Sequence, residues 1–309
     1  MSIRYTRRNA LKIFGIGMAG AWLAPPLVLA GSNGMLKKPI PGGDLLPVIG
    51  LGTWRTFNVG TDEQLMDARA EVVRAFSEHG GGMVDSSPMY GSAPDVMGHA
   101  LDKLGHPDNI YSAEKVWSPA GGSTREQIDD LAKRWRVDHF DLVQVHNLTD
   151  WRDHLEVLKQ MKADGQIRHV GITTSHGRRH GQFEEIMKNH ELDFIQLTYN
   201  ITHRQVEDRL LPMAREKGIA VIANRPYDGG SLIRNLKRRH EVPEWAKEEC
   251  GCTTWADFLL KFIVSHPAIT CAIPATSRVE HLEENMRAGH EPMPDQDARR
   301  RMIEHIESL

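Results

Sequence analysis

Cysteine is scarce in this chain: three residues, Cys250, Cys252 and Cys271, in 309. Three thiols cannot build a disulfide framework. Cys250 and Cys252 lack a second pair at metal-site spacing, so the pattern does not point to zinc. Cys271 lies in an apolar run and reads as core. There is no basic excess either. The formal net charge is −3, but residues 1–30 hold four basic residues (Arg4, Arg7, Arg8, Lys12) and no acid, so the remainder carries 34 basic against 41 acidic residues, net −7. A body that acidic lacks the cationic surface that phosphate neutralisation demands, which argues against nucleic acid as a partner. Glycine (27) and proline (16) are at ordinary levels, which removes collagen-like and low-complexity readings. Long hydrophobic runs are missing too. The apolar stretch 13–29 is interrupted by Pro25-Pro26 and is short for a hydrocarbon core of ~30 Å. What remains is a chain with 40% hydrophobic residues, long enough to bury one large core.

The N-terminus reads as an address. Thr6-Arg7-Arg8-Asn9-Ala10-Leu11-Lys12 precedes the apolar stretch, and Val28-x-Ala30 follows it with small residues at a cleavage position. That is the basic, apolar, small-residue order of an export signal. The paired arginines resemble a twin-arginine (Tat) signal, with Ala10 where such signals usually carry Phe. The expectation is a Tat-type signal peptide over 1–30, cleaved after Ala30, with the Tat export machinery as a partner. A periplasmic domain over 31–309 would follow, with no stable membrane span after cleavage. An uncleaved tether is the alternative. Gly15-Ile16-Gly17-Met18-Ala19-Gly20 matches a dinucleotide-binding fingerprint, but no strand precedes it and no acidic residue follows about twenty positions on, so it belongs to the signal.

Beyond the signal, short β-rich runs alternate with helical periodicity. The runs are 47–52, 83–86, 110–116, 140–146, 168–173, 194–199, 220–224 and 269–274. Amphipathic segments lie at 64–79, 125–136, 154–164, 206–217 and 278–288, with helix starts at Ser123-Thr124 and Thr276-Ser277. The last interval is longer and holds an irregular stretch, 227–243, then a long helical pattern, 245–265. Strict βα alternation predicts parallel strands with helical crossovers. A doubly wound sheet and a closed barrel both satisfy it, and eight units in about 230 residues favour the (β/α)8 TIM barrel. Residues 35–40 and 45–49, joined by Pro41-Gly42-Gly43-Asp44, predict an N-terminal β-hairpin. The only linker lies around 31–34, so a single domain follows.

In such a barrel the site forms at the carboxyl ends of the strands. There the sequence offers Asp85 at the end of the second strand, Tyr90 on the following loop, Lys115 on the third strand and His146 on the fourth. A lysine ammonium favours a nearby phenolate and lowers the tyrosine pKa, and a carboxylate keeps the lysine charged. Such a tyrosine can give its proton to a carbonyl oxygen that a neutral histidine orients. The set suits carbonyl reduction. His176-Gly177-Arg178-Arg179-His180 has histidines at i, i+4, but its glycine and cations predict a solvated loop rather than a metal site. Trp117, Trp151 and Tyr227 are candidates for the pocket wall or for packing.

These segments resemble the aldo-keto reductase family over about residues 35–288. Gly50-Leu51-Gly52-Thr53-Trp54 resembles its opening motif, and Val84-Asp85-Ser86-Ser87-Pro88-Met89-Tyr90-Gly91 its Asp-to-Tyr segment, with Asp95 where a glutamate is often found. Lys115 and Asp141-Leu142-Val143-Gln144-Val145-His146-Asn147 fit its lysine and histidine motifs. The resemblance implies a catalytic tetrad of Asp85, Tyr90, Lys115 and His146. It also implies NADP as cofactor (with NAD an alternative), held in an extended pose across the barrel mouth, and a small-molecule carbonyl substrate. Gly52, Thr53 and Trp54 fall at the opening of the cofactor site. Thr173 and Thr174 stand where a Ser-Asn pair commonly holds the carboxamide, and Gln196 matches its third contact. Asn224 and Arg225 replace a motif whose aromatic stacks on the nicotinamide. Thr276, Ser277 and Arg278 lie in the adenosine-phosphate segment, where Ala275 and His281 replace the usual Lys and Arg and Arg278 is the cation available to a 2′-phosphate. Glu284 and Asn285 match adenine contacts. No metal is implied. Some barrels of this family are regulatory subunits, so a nicotinamide-binding sensor is the rival reading, and a lyase or isomerase barrel without nicotinamide is a second.

Overall fold

The computed structural model of the protein describes residues 29–30, 34–118 and 123–309. The expected signal, apart from Leu29 and Ala30, and the linker residues 31–33 lie outside them. Three short antiparallel strands come first: β1 (Leu29–Ala30), β2 (Leu36–Pro39) and β3 (Leu45–Pro47). β2 and β3 form the expected hairpin, with Lys37 opposite Pro47 and Pro39 opposite Leu45. Its turn requires Gly42 and Gly43, whose φ values of +94° and +92° are open to glycine at no steric cost. β1 adds to the free edge of β2, a pairing the sequence did not suggest.

Eight parallel strands follow in sequence order: β4 (Leu51–Gly52), β5 (Gly82–Asp85), β6 (Ile110–Val116), β7 (Phe140–Val145), β8 (Ile167–Thr173), β9 (Phe194–Thr198), β10 (Ala220–Asn224) and β11 (Cys271–Ala272). Parallel bridges Ile49–Ala272 and Gly52–Ala275 join first strand to last and close the ring. The first and last strands are shorter than the apolar runs 47–52 and 269–274. Pro274 has no N–H for a ladder, and pairing at the seam survives as isolated bridges. Close approach there depends on glycine: a Cβ on Gly50 would stand 2.6 Å from the Met83 carbonyl oxygen, and one on Gly52 2.9 Å from that of Ile273.

Helices α1 (Glu63–Glu78), α2 (Ala93–Leu104), α3 (Thr124–Trp135), α4 (Trp151–Ala163), α5 (His180–Asn189) and α6 (Leu210–Lys217) make the first six crossovers. Ser123 caps α3 by accepting the Glu126 amide, as its sequence suggests. The last crossover departs from expectation. The supposedly irregular 227–243 contains α7 (Ser231–Arg239), and the continuous helix over 245–265 is two helices, α8 (Glu244–Cys250) and α9 (Trp255–Val264). Gly251, at φ +61°, ends α8, and a reciprocal Thr254–Asp257 capping box starts α9. α10 (Val279–Arg287) and α11 (Gln296–Glu307) complete the chain. Arg278, not Thr276 or Ser277, sits at the N-cap of α10, and Thr276 Oγ1 accepts the Arg278 amide at 3.2 Å.

Period-2 alternation divides the core in two. Outward residues such as Val84, Val143, Val145 and Ile172 pack under the helices. Inward residues Met83, Ala113, Leu142, Phe194, Ile222 and Cys271 fill the barrel, and Ile40 and Leu46 of the hairpin join them from the amino end. The hairpin thus plugs the barrel floor, which leaves the carboxyl end as the open face. Among the described residues no helix is long and apolar enough to cross a membrane.

Candidate active site

The alternation that puts Met83, Ala113 and Leu142 inside puts Asp85, Lys115 and Gln144 inside one pleat higher. Gln196 and Asn224 hold the matching level on β9 and β10, two positions beyond Phe194 and Ile222. A polar layer therefore crowns the apolar core. It floors a cavity of about 470 Å³ whose wall includes Gly52, Thr53, Trp54, Asp85, Tyr90 and His146.

Asp85, Lys115 and His146 are buried, and Tyr90 is half-buried on a single 3-10 turn after β5. Lys115 Nζ donates to Asp85 Oδ2 at 2.7 Å and to the Ser86 carbonyl at 2.6 Å, and lies 5.2 Å from the centre of the Tyr90 ring. The His146 ring stands edge-on to Tyr90, centroids 5.9 Å apart. The structure thus brings all four sequence-predicted residues together. Against the cost of burial, Asp85 and Tyr90 hold Lys115 above its ordinary value, so it stays charged. Burial, reinforced by the Lys115 charge, lowers His146 to about 3, which keeps the imidazole neutral. Tyr90 corrects the expectation of a lowered phenol. Lys115 does pull it down, but burial outweighs that pull and pushes Tyr90 up to about 12. The phenol keeps its proton at neutral pH.

The polar layer continues as one network. Gln196 Nε2 donates to Asp85 Oδ1 at 2.7 Å, while its Oε1 accepts from Thr173 Oγ1 at 3.2 Å and Asn224 Nδ2 at 3.3 Å. Asn224 Nδ2 also donates to the Thr174 carbonyl at 2.9 Å, and its Oδ1 accepts from Thr198 Oγ1 at 2.8 Å. Thr173, Gln196 and Asn224 line the cavity, and Arg225 stands at its edge, paired to Asp228 at 2.9 Å. The Thr174 hydroxyl turns away to the Arg178 carbonyl. Of the residues after β11, Ile273 and Ala275 line the cavity, whereas Thr276, Ser277, Arg278, Glu284 and Asn285 lie outside its wall. Arg278 is exposed and pairs with Glu280 at 3.3 Å, Lys237 of α7 pairs with Glu284 at 3.1 Å, and the Tyr227 hydroxyl donates to Asn285 Oδ1 at 2.5 Å. Thr276 is buried, and Ser277 is half-buried beside it.

Of the aromatic candidates, Tyr227 lines the cavity, whereas Trp151 is buried in the outer core and the Trp117 backbone is tied to Gln127. The 176–180 segment is not wholly a solvated loop: His176 stands in the cavity wall within 2.9 Å of Arg225 Nη1, and His180 begins α5. Gln144, Ser87 and Glu114 are among the residues of the site and its surroundings that escaped sequence reasoning. Gln144 approaches Asp85 at 3.4 Å. Ser87 Oγ lies 2.7 Å from His146 Nδ1. Glu114, the outward neighbour of Lys115, is fully buried and accepts from the Trp135 indole at 2.9 Å, and burial pushes its carboxyl up to about 7. Glu114 carried a signal: an acid in the outward register of a strand covered by a helix.

A barrel with a charged lysine–carboxylate pair, a phenol and a neutral imidazole around a cavity at its carboxyl end has the layout of an enzyme of the (β/α)8 class. Residues 48–304 match the family model described as aldo/keto reductase family, and the chain belongs to that family. It is similar to the aldo-keto reductase YhdN of Bacillus subtilis, 30% identical over 222 residues, which cover 65% of this chain and 62% of that protein. It is also similar to the NADH-specific methylglyoxal reductase of Escherichia coli, 28% identical over 250 residues, covering 69% and 73%. Among solved structures, its fold resembles that of an aldo/keto reductase from Klebsiella pneumoniae in complex with NADP and acetate, with a TM-score of 0.72 at 22% identity, covering 86% of this chain and 93% of that one.

Proposed function

We propose that Asp85, Tyr90, Lys115 and His146 are the catalytic set with which this aldo-keto reductase converts a small aldehyde or ketone to an alcohol, using NADPH. The observation that carries the reading is the Lys115 ammonium on the cavity floor, 2.7 Å from Asp85 and 5.2 Å from the Tyr90 ring. A nicotinamide fits the wall beside it. Thr173, Gln196 and Asn224 offer one hydroxyl and two amides side by side, the donor and acceptor set that a carboxamide takes up. Bound there, the cofactor supplies the hydride.

The chain's own residues handle the oxygen. Tyr90 holds a proton and delivers it to the carbonyl oxygen as that oxygen gains charge. Lys115, kept charged by Asp85, stabilises the phenolate left behind. Neutral His146 donates a hydrogen bond to the same oxygen and orients it. Trp54 and Met89 supply apolar wall, and the methylglyoxal reductase similar to this chain supports a small carbonyl compound as substrate. At the adenosine end, Ser277 and Arg278 are the groups available to a 2′-phosphate, and Arg278 underlies the choice of NADPH over NADH. Glu284 and Asn285, paired through one oxygen each with Lys237 and Tyr227, are the groups available to adenine. We place the enzyme in the periplasm, delivered through the twin-arginine route, on the strength of residues 6–30.

The direct test is Tyr90→Phe. With the proton donor gone, turnover on an established carbonyl substrate should fall by about 10² to 10⁴, while nucleotide binding, followed by quenching of tryptophan fluorescence, persists. Near wild-type turnover would refute the assignment. A wild-type protein that binds nucleotide but reduces no carbonyl compound would favour a sensor.

A further inference from the structure

Ser87 is fully buried, and its hydroxyl has a constrained set of neighbours. Its oxygen accepts the Met89 amide at 3.2 Å, closing the 3-10 turn that carries Tyr90, and lies 2.7 Å from Nδ1 of His146. A hydroxyl has one proton to give and two lone pairs to receive with. His146 is neutral, so its ring carries one N–H. If that N–H were on Nδ1 and pointed at Ser87, the serine would hold two incoming donors and a proton with no acceptor among the described residues. If the serine proton goes to Nδ1 instead, both the serine hydroxyl and Nδ1 are satisfied. The second arrangement places the ring N–H on Nε2, the nitrogen on the opposite edge of a ring that lines the cavity.

We propose that Ser87 is a positioning residue for the carbonyl reduction: it donates to His146 Nδ1 and so holds the imidazole in the Nε2–H form, the tautomer able to donate to a substrate carbonyl. This rests on the reading of His146 as the group that orients the carbonyl. The serine also joins two elements that meet only in the fold, 59 residues apart in sequence. One is the turn after β5, which supplies the proton donor, and the other is the end of β7, which supplies the orienting ring. A single hydroxyl thereby fixes both the protonation pattern of the histidine and its place relative to Tyr90. The fixed ring costs less reorganisation when the substrate oxygen arrives.

The test combines nitrogen NMR with kinetics. In ¹⁵N-histidine-labelled enzyme, with the His146 signals identified by their loss in His146→Gln, the wild type should show an unprotonated, pyridine-like Nδ1 and a protonated Nε2. In Ser87→Ala the Nδ1 resonance should move toward the protonated range as the tautomers mix. In that variant kcat/KM for the carbonyl substrate should fall about 10- to 100-fold, with unchanged nucleotide affinity and an intact thermal transition. Ser87→Thr, which keeps the hydroxyl, should return both the resonance and most of the activity. A protonated Nδ1 in the wild type overturns the proposal, as does wild-type kcat/KM in Ser87→Ala alongside an impaired His146→Gln. Wild-type activity in His146→Gln would instead overturn the underlying reading of the histidine, and the wild-type spectrum would still decide whether the serine sets the tautomer.

Discussion

Arg278 projects from the junction of β11 and α10 with 61% of its side chain exposed, and Glu280, at 3.3 Å, is its ion-pair partner. An exposed pair of this kind is worth about 1 kcal/mol or less, so a phosphate dianion can displace it. Arg278→Ala should weaken NADPH binding by roughly tenfold and leave NADH nearly untouched, because a charged hydrogen bond to the 2′-phosphate is worth about 1.5–3 kcal/mol and NADH lacks that group. Titrating both nucleotides against both proteins checks this. Equal losses, or none, would remove the role. At this scale the sequence was legible wherever chemistry follows from a residue's place on a strand. Asp85, Lys115 and His146 were found because strand tips face the barrel mouth. The direction of the Tyr90 pKa was not legible, because it depends on how much water the fold removes from the phenol, and burial outweighs the lysine that motif reasoning emphasises. Ser87 stayed hidden for a similar reason. Its partner is supplied by another strand, and nothing local marks the contact.

At the scale of elements, the strands were readable because their spacing is regular and their apolar runs are short. The interval before β11 was read worst. Gly251 breaks what looks like a single helix, and α7 lies in a stretch so rich in polar and charged residues that it resembles loop. The hairpin was anticipated, but not its fastening. Lys38 of β2 is buried, and its ammonium donates to the carbonyls of Val264, His266 and Ile269 at 2.7, 2.9 and 2.6 Å. It thereby satisfies carbonyls at and just beyond the C-terminus of α9, where helix groups lack internal partners. Lys38→Met should cost about 2–4 kcal/mol, since buried acceptors are left unmade at about 1–3 kcal/mol each. Its pH dependence is equally specific. Burial, with the Arg299 charge adding to it and Cys271 opposing, lowers Lys38 from 10.5 to about 7, and the neighbouring His266 is itself held neutral. Between those values the unfolded chain binds a proton that the folded chain has released. Folding stability attributable to this group therefore rises with pH from about 7 toward 10.5, and the cost of the buried charge is fully present below 7. Denaturant unfolding of wild type and Lys38→Met at pH 7, 8, 9 and 10 should show that rise in the wild type and its absence in the variant. Parallel slopes would count against it.

The whole molecule was the most legible level, because alternation and chain length constrain a barrel more tightly than any single motif does. Seam closure by glycine and the floor plug by the hairpin are the additions the structure makes. They bear on the proposed export. Cleavage after Ala30 would remove β1, a two-residue strand on the outer edge of β2. It would leave the β2–β3 pairing, the Lys38 fastening and the hydrogen bond from the Leu36 N–H to the Gly289 carbonyl untouched. A barrel that loses so little on cleavage can fold before the signal is removed, and the twin-arginine route carries proteins already folded. Folding in a reducing compartment also fits three buried thiols that form no disulfide. Nicotinamide nucleotides are made inside the cell, so a barrel that closes around its cofactor before crossing avoids a supply problem that a chain exported without it would face. The expected outcome is a mature protein beginning near Gly31 in the periplasm, carrying nucleotide. Replacing Arg7-Arg8 by Lys-Lys, then fractionating cells and sequencing the N-terminus of the recovered protein, tests the route. Loss of periplasmic protein supports it, and unchanged recovery sinks it. Wild type found wholly in the cytoplasm would sink export, and a membrane-bound, uncleaved precursor would favour the tether. Periplasmic enzyme purified without nucleotide would separate cofactor delivery from export, leaving the route intact and removing the claim that the cofactor travels inside the folded barrel.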